Sequence, residues 1–513
     1  MINPREKILQ RLRMMPMVVA MPSVAAGIVL ADWLRVPLWC AALLFTLSMV
    51  AAWRWRNTPL TVALMLLAGA TSLSLRRSTE SLPTHHTTME LRLERLTHED
   101  DSFRTHLAQI VAYADGEQMR RSNSTIRLST PLSAACSEGE HLVVNCSVQP
   151  FTSATSYGDY LQSKGIAGTA KICNEDILLR KQYFSLGAWL QTHALHRISK
   201  LNLSPSTRSI ATAISVGQRS HIPTTQRRHY TLSGGAHLLA VSGLHVGFVF
   251  MLINFILLPL AALPHGTLWR TLLGLAMIWC YAAMTALSPS VMRATIMLSI
   301  LQLSFFFSSR SRTLNTLCAT TSLMLLWDGR MLYDVGFLLS VLAVIAIVEW
   351  ASPLYHILRR DNDISTLRYQ IQHPFKGSVR RIARNILGWI AGSVIVCFVA
   401  NIATLPLASL YFGELSLWGF CVGWVMVALC SVATTVMLTW ILMPIPLFAP
   451  AVEWTVESSV GAMNGIAEWC ANHSLMSFTL RLDQSSCMLI YAALLLLTLA
   501  LWSITPTRRD KNL

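Results

Sequence analysis

The stretch HLLAVSGLHVG, residues 237–247, sets His237, Ser242 and His245 beside Gly234, Gly235 and Gly243 at the head of an otherwise apolar run. Imidazoles and a hydroxyl at this spacing can exchange hydrogen bonds, or pair a hydroxyl nucleophile with a base. Burying such groups in hydrocarbon is costly, so a cluster of them marks a functional locus by default. The glycines permit an unwound or closely packed helix start whose backbone faces a water-filled cavity. The structural alternative is that the side chains satisfy neighbouring helices as interhelical polar contacts.

Other polar groups sit in comparable places. Arg293 follows Ser288, Pro289 and Ser290 just inside an apolar run, where it needs a carboxylate, a carbonyl or a wet cavity, unless it snorkels to an interface. Asp334, at the end of another run, is a candidate partner. Asn401 and Thr404 precede Pro406, which is expected to break or bend the helix there.

The elements that carry these residues follow from composition. With 53% hydrophobic residues and only 13% charged, the chain lies far outside the range of soluble domains and reads as a polytopic α-helical membrane protein. Runs long enough to cross ~30 Å of hydrocarbon fall near 14–34, 36–52, 59–75, 236–263, 268–287, 290–308, 313–327, 332–350, 386–411 and 486–503. Residues 415–450 add one or two more, or a re-entrant hairpin, which makes about 11–12 spans in all. The basic segment MINPREKILQRLR precedes a first span read as retained, because two more runs follow at once. Lys and Arg in the short loops, including Arg54, Arg56, Arg310, Arg312, Arg380, Arg381 and Arg508, fall on one side if three spans precede residue 76. Both termini are then cytoplasmic and the segment after residue 76 is external.

That segment, 76–185, is expected to fold as a small β-rich, OB-like domain. THLAQIVAYA, STIRLST, EHLVVNCSV and GIAGTAKI are short, rich in Val, Ile and Thr, and bounded by turn residues; about five strands suit such a barrel. Between residues 82 and 185 ten Lys or Arg face twelve Asp or Glu, whereas a domain gripping phosphates should be basic. A local face with Arg120, Arg121 and Arg127 supports binding; bracing a channel mouth is the other reading. Cys136, Cys146 and Cys173 allow one bridge whose pairing spacing cannot fix, and no cysteine or histidine spacing supports a metal site or another cofactor.

From Ile177 to Trp327 no Asp or Glu occurs, against twelve Lys or Arg. The part from 186 to 233 reads as basic amphipathic helices at an interface, with Arg197, Lys200, Arg208, Arg219, Arg227 and Arg228 as an electrostatic funnel for a polyanion. Attraction to anionic lipid headgroups explains the same charges.

HLLAVSGLHVG, AISVGQRSHI (213–222), SPSVMRATIM (288–297), YDVGFLLSVLAVIAIV (333–348) and NIATLPLASLYFGELS (401–416) together resemble, in order, the blocks of the ComEC competence family. YGDYLQSKGIAGTA is similar to the end of that family's external OB-type domain. The resemblance implies an inner-membrane channel importing single-stranded DNA during natural transformation. It divides the chain into a three-span region (1–75), the external domain (76–185), the basic helices (186–233), the channel domain (234–505) and a tail (506–513). His237, Ser242, Gly243, His245, Arg293, Asn401 and Thr404 become candidates for the DNA path. No residue is assigned a catalytic role. A periplasmic DNA receptor, a separate nuclease and a cytoplasmic ATP-driven translocase are the implied partners, besides the bilayer and the DNA itself.

The chain also departs from the family. Gln218 stands where relatives often carry an acid or an aromatic residue, and Leu338 where a glutamine is common. Many relatives continue into a metallo-β-lactamase-like domain, whereas no H-x-H-x-D-H motif occurs here, so that metal site and its nuclease activity are not assigned. Two other classes stay open: a membrane-embedded hydrolase, since AVSG is similar to the serine motif of rhomboid proteases, and a lipid or solute transporter.

Overall fold

The computed structural model describes residues 15–34, 40, 43, 45–46, 58–76, 82–99, 103–151, 161, 166–306, 313–355, 374–473, 477–479 and 482–504, apart from isolated positions within those ranges. Helices α1 (Met17–Trp33) and α2 (Thr58–Arg76) cross with a glycine of each against the backbone of the other. A Cβ on Gly27 would clash with the Leu66 carbonyl oxygen, and one on Gly69 with that of Val24. Small residues let apolar helices approach this closely. The expected span at 36–52 lies almost wholly outside the described residues.

Among the described residues, the segment that follows forms one sheet of eight strands: β1 (Thr87–Glu99), β2 (Phe103–Asp115), β3 (Gln118–Arg121), β4 (Thr125–Pro131), β5 (Glu140–Cys146), β6 (Gln149–Pro150), β7 (Ile166–Lys171) and β8 (Ile177–Gln182). Their order is β6-β7-β4-β2-β1-β5-β8, with β3 paired to β2. The alternating residues Met89, Leu91 and Leu93 of β1 meet Ile110, Ile126, Leu128, Leu142 and Val144 in one fully buried layer, as a period of two requires. Three irregularities in the β1–β2 register bend this long pair. Among the described residues no ladder joins β6 to β8, so the sheet has two ends. The expected basic face is partly neutralised, since Arg120 pairs with Asp115 at 2.9 Å. Cys136, Cys146 and Cys173 are all free thiols; burial pushes Cys146 up to about 12.

Three short helices lead into the apolar bundle: α3 (Leu186–Ser199), α4 (Pro205–Val216) and α5 (Thr224–Leu232). The expectation that all of these lie along an interface is corrected for α4. Thr207 and every residue from Ser209 to Val216 are buried, because Ala, Ser and Thr side chains let the helix pack deep in the largest apolar cluster.

The bundle itself comprises α6 (Gly243–Ile256), α7 (Gly266–Met284), α8 (Pro289–Phe306), α9 (Thr313–Trp327), α10 (Val335–Ala346, continued by a π turn at Ile347–Ala351), α11 (Pro374–Phe412), α12 (Trp418–Leu442), α13 (Ala449–Asn472) and α14 (Gln484–Ile504). Among the described residues five helices are long and apolar enough to cross a membrane: Gly266–Met284, Val335–Tyr355, Ile386–Tyr411, Trp418–Leu442 and Gln484–Trp502. Met17–Trp33, Val62–Ser74, Gly243–Ile256 and Ser290–Leu303 are apolar but shorter. The larger expected count differs for physical reasons. The run at 236–263 is broken into a 3-10 turn (Ala236–Leu239), an extended link, α6 and a second 3-10 turn (Leu258–Ala262). Residues 415–450 hold one long helix rather than two. Pro406 does not break its helix, which continues to Phe412.

The acid-free stretch finds its carboxylates on α13. Glu457 accepts hydrogen bonds from the Ser204 backbone N–H (3.2 Å), Ser204 Oγ (2.6 Å) and Thr207 Oγ1 (3.0 Å), while Glu453 accepts one from the Asn202 N–H at 2.8 Å. About two turns beyond Glu457, Asn464 Oδ1 accepts from Gln226 Nε2 (3.0 Å) and Tyr230 OH (2.9 Å). Negative charge at the start of α4 also complements its dipole. Burial alone would raise the Glu457 carboxyl, but the bonds from Ser204 and Thr207 prevail and hold it below its ordinary value. Its contribution is therefore complete above the ordinary carboxylate pKa and is lost as pH falls through the lowered one. Glu457→Gln is expected to destabilise the solubilised protein by about 1 kcal/mol near neutral pH, and the gap to wild type should close in acid; unfolding curves at both pH values check this.

Candidate functional site

His237, Ser242, His245 and Arg293 lie near where helices begin. At the start of α6, the Ser242 backbone N–H donates to His245 Nδ1 at 2.9 Å, and Ser242 Oγ lies 3.0 Å from the same nitrogen. An Nδ1 that accepts a backbone N–H carries no proton, so Nε2 is protonated and donates to Cys430 Sγ of α12 at 3.0 Å. His245 is thus buried and spent at both nitrogens. It closes the N-terminus of α6 in the way a glutamate closes a capping box.

His237 behaves differently. Its Nδ1–H donates to the Gly234 carbonyl at 3.1 Å, and the ring keeps an exposed edge. Gly234 has φ +76°, a left-handed backbone that side chains rarely adopt, and a Cβ there would lie 2.9 Å from Gly419 Cα. Asn401 reaches the same place from α11: its Nδ2 donates to the Cys397 carbonyl at 2.9 Å, and Gly419 packs against its Oδ1. Thr404, by contrast, donates to the Ala400 and Asn401 carbonyls of its own helix, at 2.9 and 3.3 Å. It stabilises α11 and is not brought to the other residues by any of these bonds.

Arg293 does not snorkel. It is only 6% exposed. Its Nη2 donates to the Gly336 carbonyl at 3.0 Å and its guanidinium lies over the Phe337 ring, 5.7 Å from the centroid. Asp334, the expected partner, caps α10 by accepting the Phe337 N–H at 2.9 Å, close enough for its charge to act on Arg293. Gly243, the first residue of α6, packs against Ala294 of α8. The first turns of α8 thereby touch α6 through Ala294 and α10 through Arg293. Ser288, at the start of α8, is buried, and its Oγ has no hydrogen-bond partner among the described residues. It follows Ala286 and Leu287, which hold left-handed φ values of 54° and 48°; such strain persists only where surrounding packing enforces it. Gly217, ending α4 at φ +85°, completes the contact by packing on Thr285 and Val241.

The basic residues divide into two groups. Arg197 donates to the carbonyls of Ile441 and Leu442, and Trp440 Nε1 donates to the Arg197 carbonyl at 3.0 Å, so this arginine caps the end of α12. Arg208 donates to the Leu201 carbonyl at 3.1 Å. Both arginines are thus engaged at helix ends. Lys200, Arg227 and Arg228 are exposed. Arg227 additionally reaches the Arg219 carbonyl at 3.4 Å, and Arg219 itself is half-buried. Among the described residues no group of three or more His, Cys, Asp or Glu is placed to hold a metal ion.

Cys430, Gly419 and Gly336 belong to this locus but carried no signal of their own in the sequence, a cysteine or glycine in an apolar run being commonplace. Gly234→Ala is expected to lose about 1–3 kcal/mol from left-handed strain and the approach to Gly419, read as a lower unfolding midpoint; Gly461→Ala, with nothing within 4 Å of the added carbon, should cost less.

Comparison with known proteins identifies the family. A model of the family described as "Competence protein" matches residues 214–505. The ComE operon protein 3 of Bacillus subtilis (strain 168) is 28% identical over 192 residues, covering 36% of this chain and 24% of that protein. An uncharacterized protein of Aquifex aeolicus (strain VF5) is 35% identical over 143 residues, covering 28% of this chain and 33% of the relative. The chain thus spans a quarter to a third of the length of these relatives. No solved structure matches it. The family match covers more than half of the chain and takes in every block that meets around Gly234, His245 and Arg293, so the chain belongs to the Competence protein family.

Proposed function

We propose that this protein is a multi-pass permease of the bacterial cytoplasmic membrane that carries single-stranded DNA inward during natural transformation, acting as a conduit and not as an enzyme. In this reading both termini are cytoplasmic and the β-rich segment stands outside, near the entrance. A DNA receptor, a nuclease and an ATP-driven translocase are separate partners that deliver, trim and pull the strand. The observation that carries the proposal is the buried Arg293 in the first turns of α8, which join the starts of α6 and α10, in a member of the competence family. Helix N-termini carry partial positive charge, offset at α10 by Asp334, and broken helices of this kind form sites for anionic groups within transporters. A phosphodiester strand is the anion that competence supplies.

The 3.0 Å contact between Ser242 Oγ and His245 Nδ1 favours a second reading, a serine hydrolase. Two features weigh against it. The single lone pair of Nδ1 already accepts the Ser242 N–H, and the other ring nitrogen faces a thiol in place of an orienting carboxylate. Labelling of Ser242 by a fluorophosphonate probe would support the hydrolase.

The test of the transport reading follows labelled DNA in a transformable strain lacking this protein. DNA should stall outside the cytoplasmic membrane, protected but not internalised, and complementation should restore entry. With equal protein levels, Arg293→Ala should lower internalisation by about tenfold or more, the worth of one charge-assisted contact, and Arg293→Lys should recover part of it. Unchanged entry in the deletion strain would count against the permease.

A further inference from the structure

Where α12 begins and α13 ends, three rings form a cluster that the contacts around Arg293 leave unused. Trp418 stands edge-on to Trp469, centroids 5.0 Å apart at 68°. His473 stacks on Trp469 at 4.7 Å and 29°. The arrangement is held by hydrogen bonds: His473 Nδ1–H donates to the Trp469 carbonyl at 2.9 Å, and Trp418 Nε1–H donates to the His473 carbonyl at 3.1 Å. Trp469 is nevertheless 50% exposed.

We infer that Trp469, braced by Trp418 and His473, is a stacking platform for the unpaired bases of single-stranded DNA at the mouth of the path. The inference rests on the transport reading above and adds a base-directed contact to it. Three observations point to this occupant. The cluster is continuous with the proposed path, because Trp418 is followed by Gly419, the residue packed between Gly234 and Asn401. Exposed Arg227 and Arg228 lie on α5, which runs along α13 through the Gln226 and Tyr230 bonds to Asn464; these supply charge for the backbone, as single-strand sites require. The indole N–H of Trp418, which in a membrane-interface belt would face the headgroups, is instead bonded within the cluster. Glu468 is exposed beside Trp469 and repels phosphate, so bases rather than the backbone address the ring. Every base offers a π-face, so such a contact is indifferent to sequence.

The experiment uses the full chain in nanodiscs of zwitterionic lipid and fluorescence anisotropy with two probes of equal length and charge, oligo-dT of about 16 nucleotides and its abasic counterpart. Wild type is expected to bind oligo-dT about tenfold more tightly than the abasic strand. Trp469→Ala should abolish that preference while leaving abasic binding unchanged, Trp469→Phe should retain most of it, and His473→Ala should lose part. Equal binding of both probes by wild type, or an undiminished preference in Trp469→Ala, overturns the platform and leaves the transport reading standing. Failure of wild type to bind either strand removes both.

Discussion

An apolar bundle offers no spare hydrogen bonds, so wherever a helix stops inside it the freed backbone groups must find partners in the protein. Much of the architecture around residues 234–247 answers that demand. Ser242 and His245 close the start of α6, Asp334 closes α10, Arg293 takes the Gly336 carbonyl, and Arg197 takes carbonyls at the end of α12. Because these caps are made by polar side chains, they also concentrate polarity where the helices begin. The hydrogen-bonding requirement and the proposed anion path use one set of residues, and Ser288, buried with a hydroxyl that has no partner among the described residues, is where structure asks for less than the sequence provides.

The α4–α13 contact shows the same economy over a longer range. A segment with no acid of its own is held by Glu453, Glu457 and Asn464, all on one face of a helix more than two hundred residues later. The positive charges left exposed, Lys200, Arg227 and Arg228, are therefore not needed for that attachment, whereas Arg197 and Arg208 are already engaged. Charge counted along the chain overstates what is available to a ligand; charge left after internal bonding is the relevant quantity.

How much of this was legible in the sequence depended on periodicity. Strands β2, β4, β5 and β7 were readable from alternating Val, Ile and Thr, but β1 was not, because Glu and Arg alternate with its buried Met89, Leu91 and Leu93 and mask the pattern. Helix α13 was missed since its acids keep it from reading as a span, and nothing local signals that those acids face α4. The break before Gly243 was legible from glycine, whereas Pro406 misled: a helix braced by Thr404 and Asn401 hydrogen bonds on the turns before the proline continues through it. The pairing of His245 with Cys430, 185 positions apart, required the tertiary fold.

Helix α11 runs for 39 residues from Pro374 to Phe412. At ~1.5 Å per residue it is about 58 Å long, nearly twice the ~30 Å thickness of a bilayer's hydrocarbon. Asn401 lies toward one end, against Gly419, and Lys376, Arg380, Arg381 and Arg384 lie toward the other. One continuous helix therefore joins the glycine seam, where Gly234 meets Gly419, to a cluster of four basic residues well beyond the length that a bilayer's hydrocarbon requires.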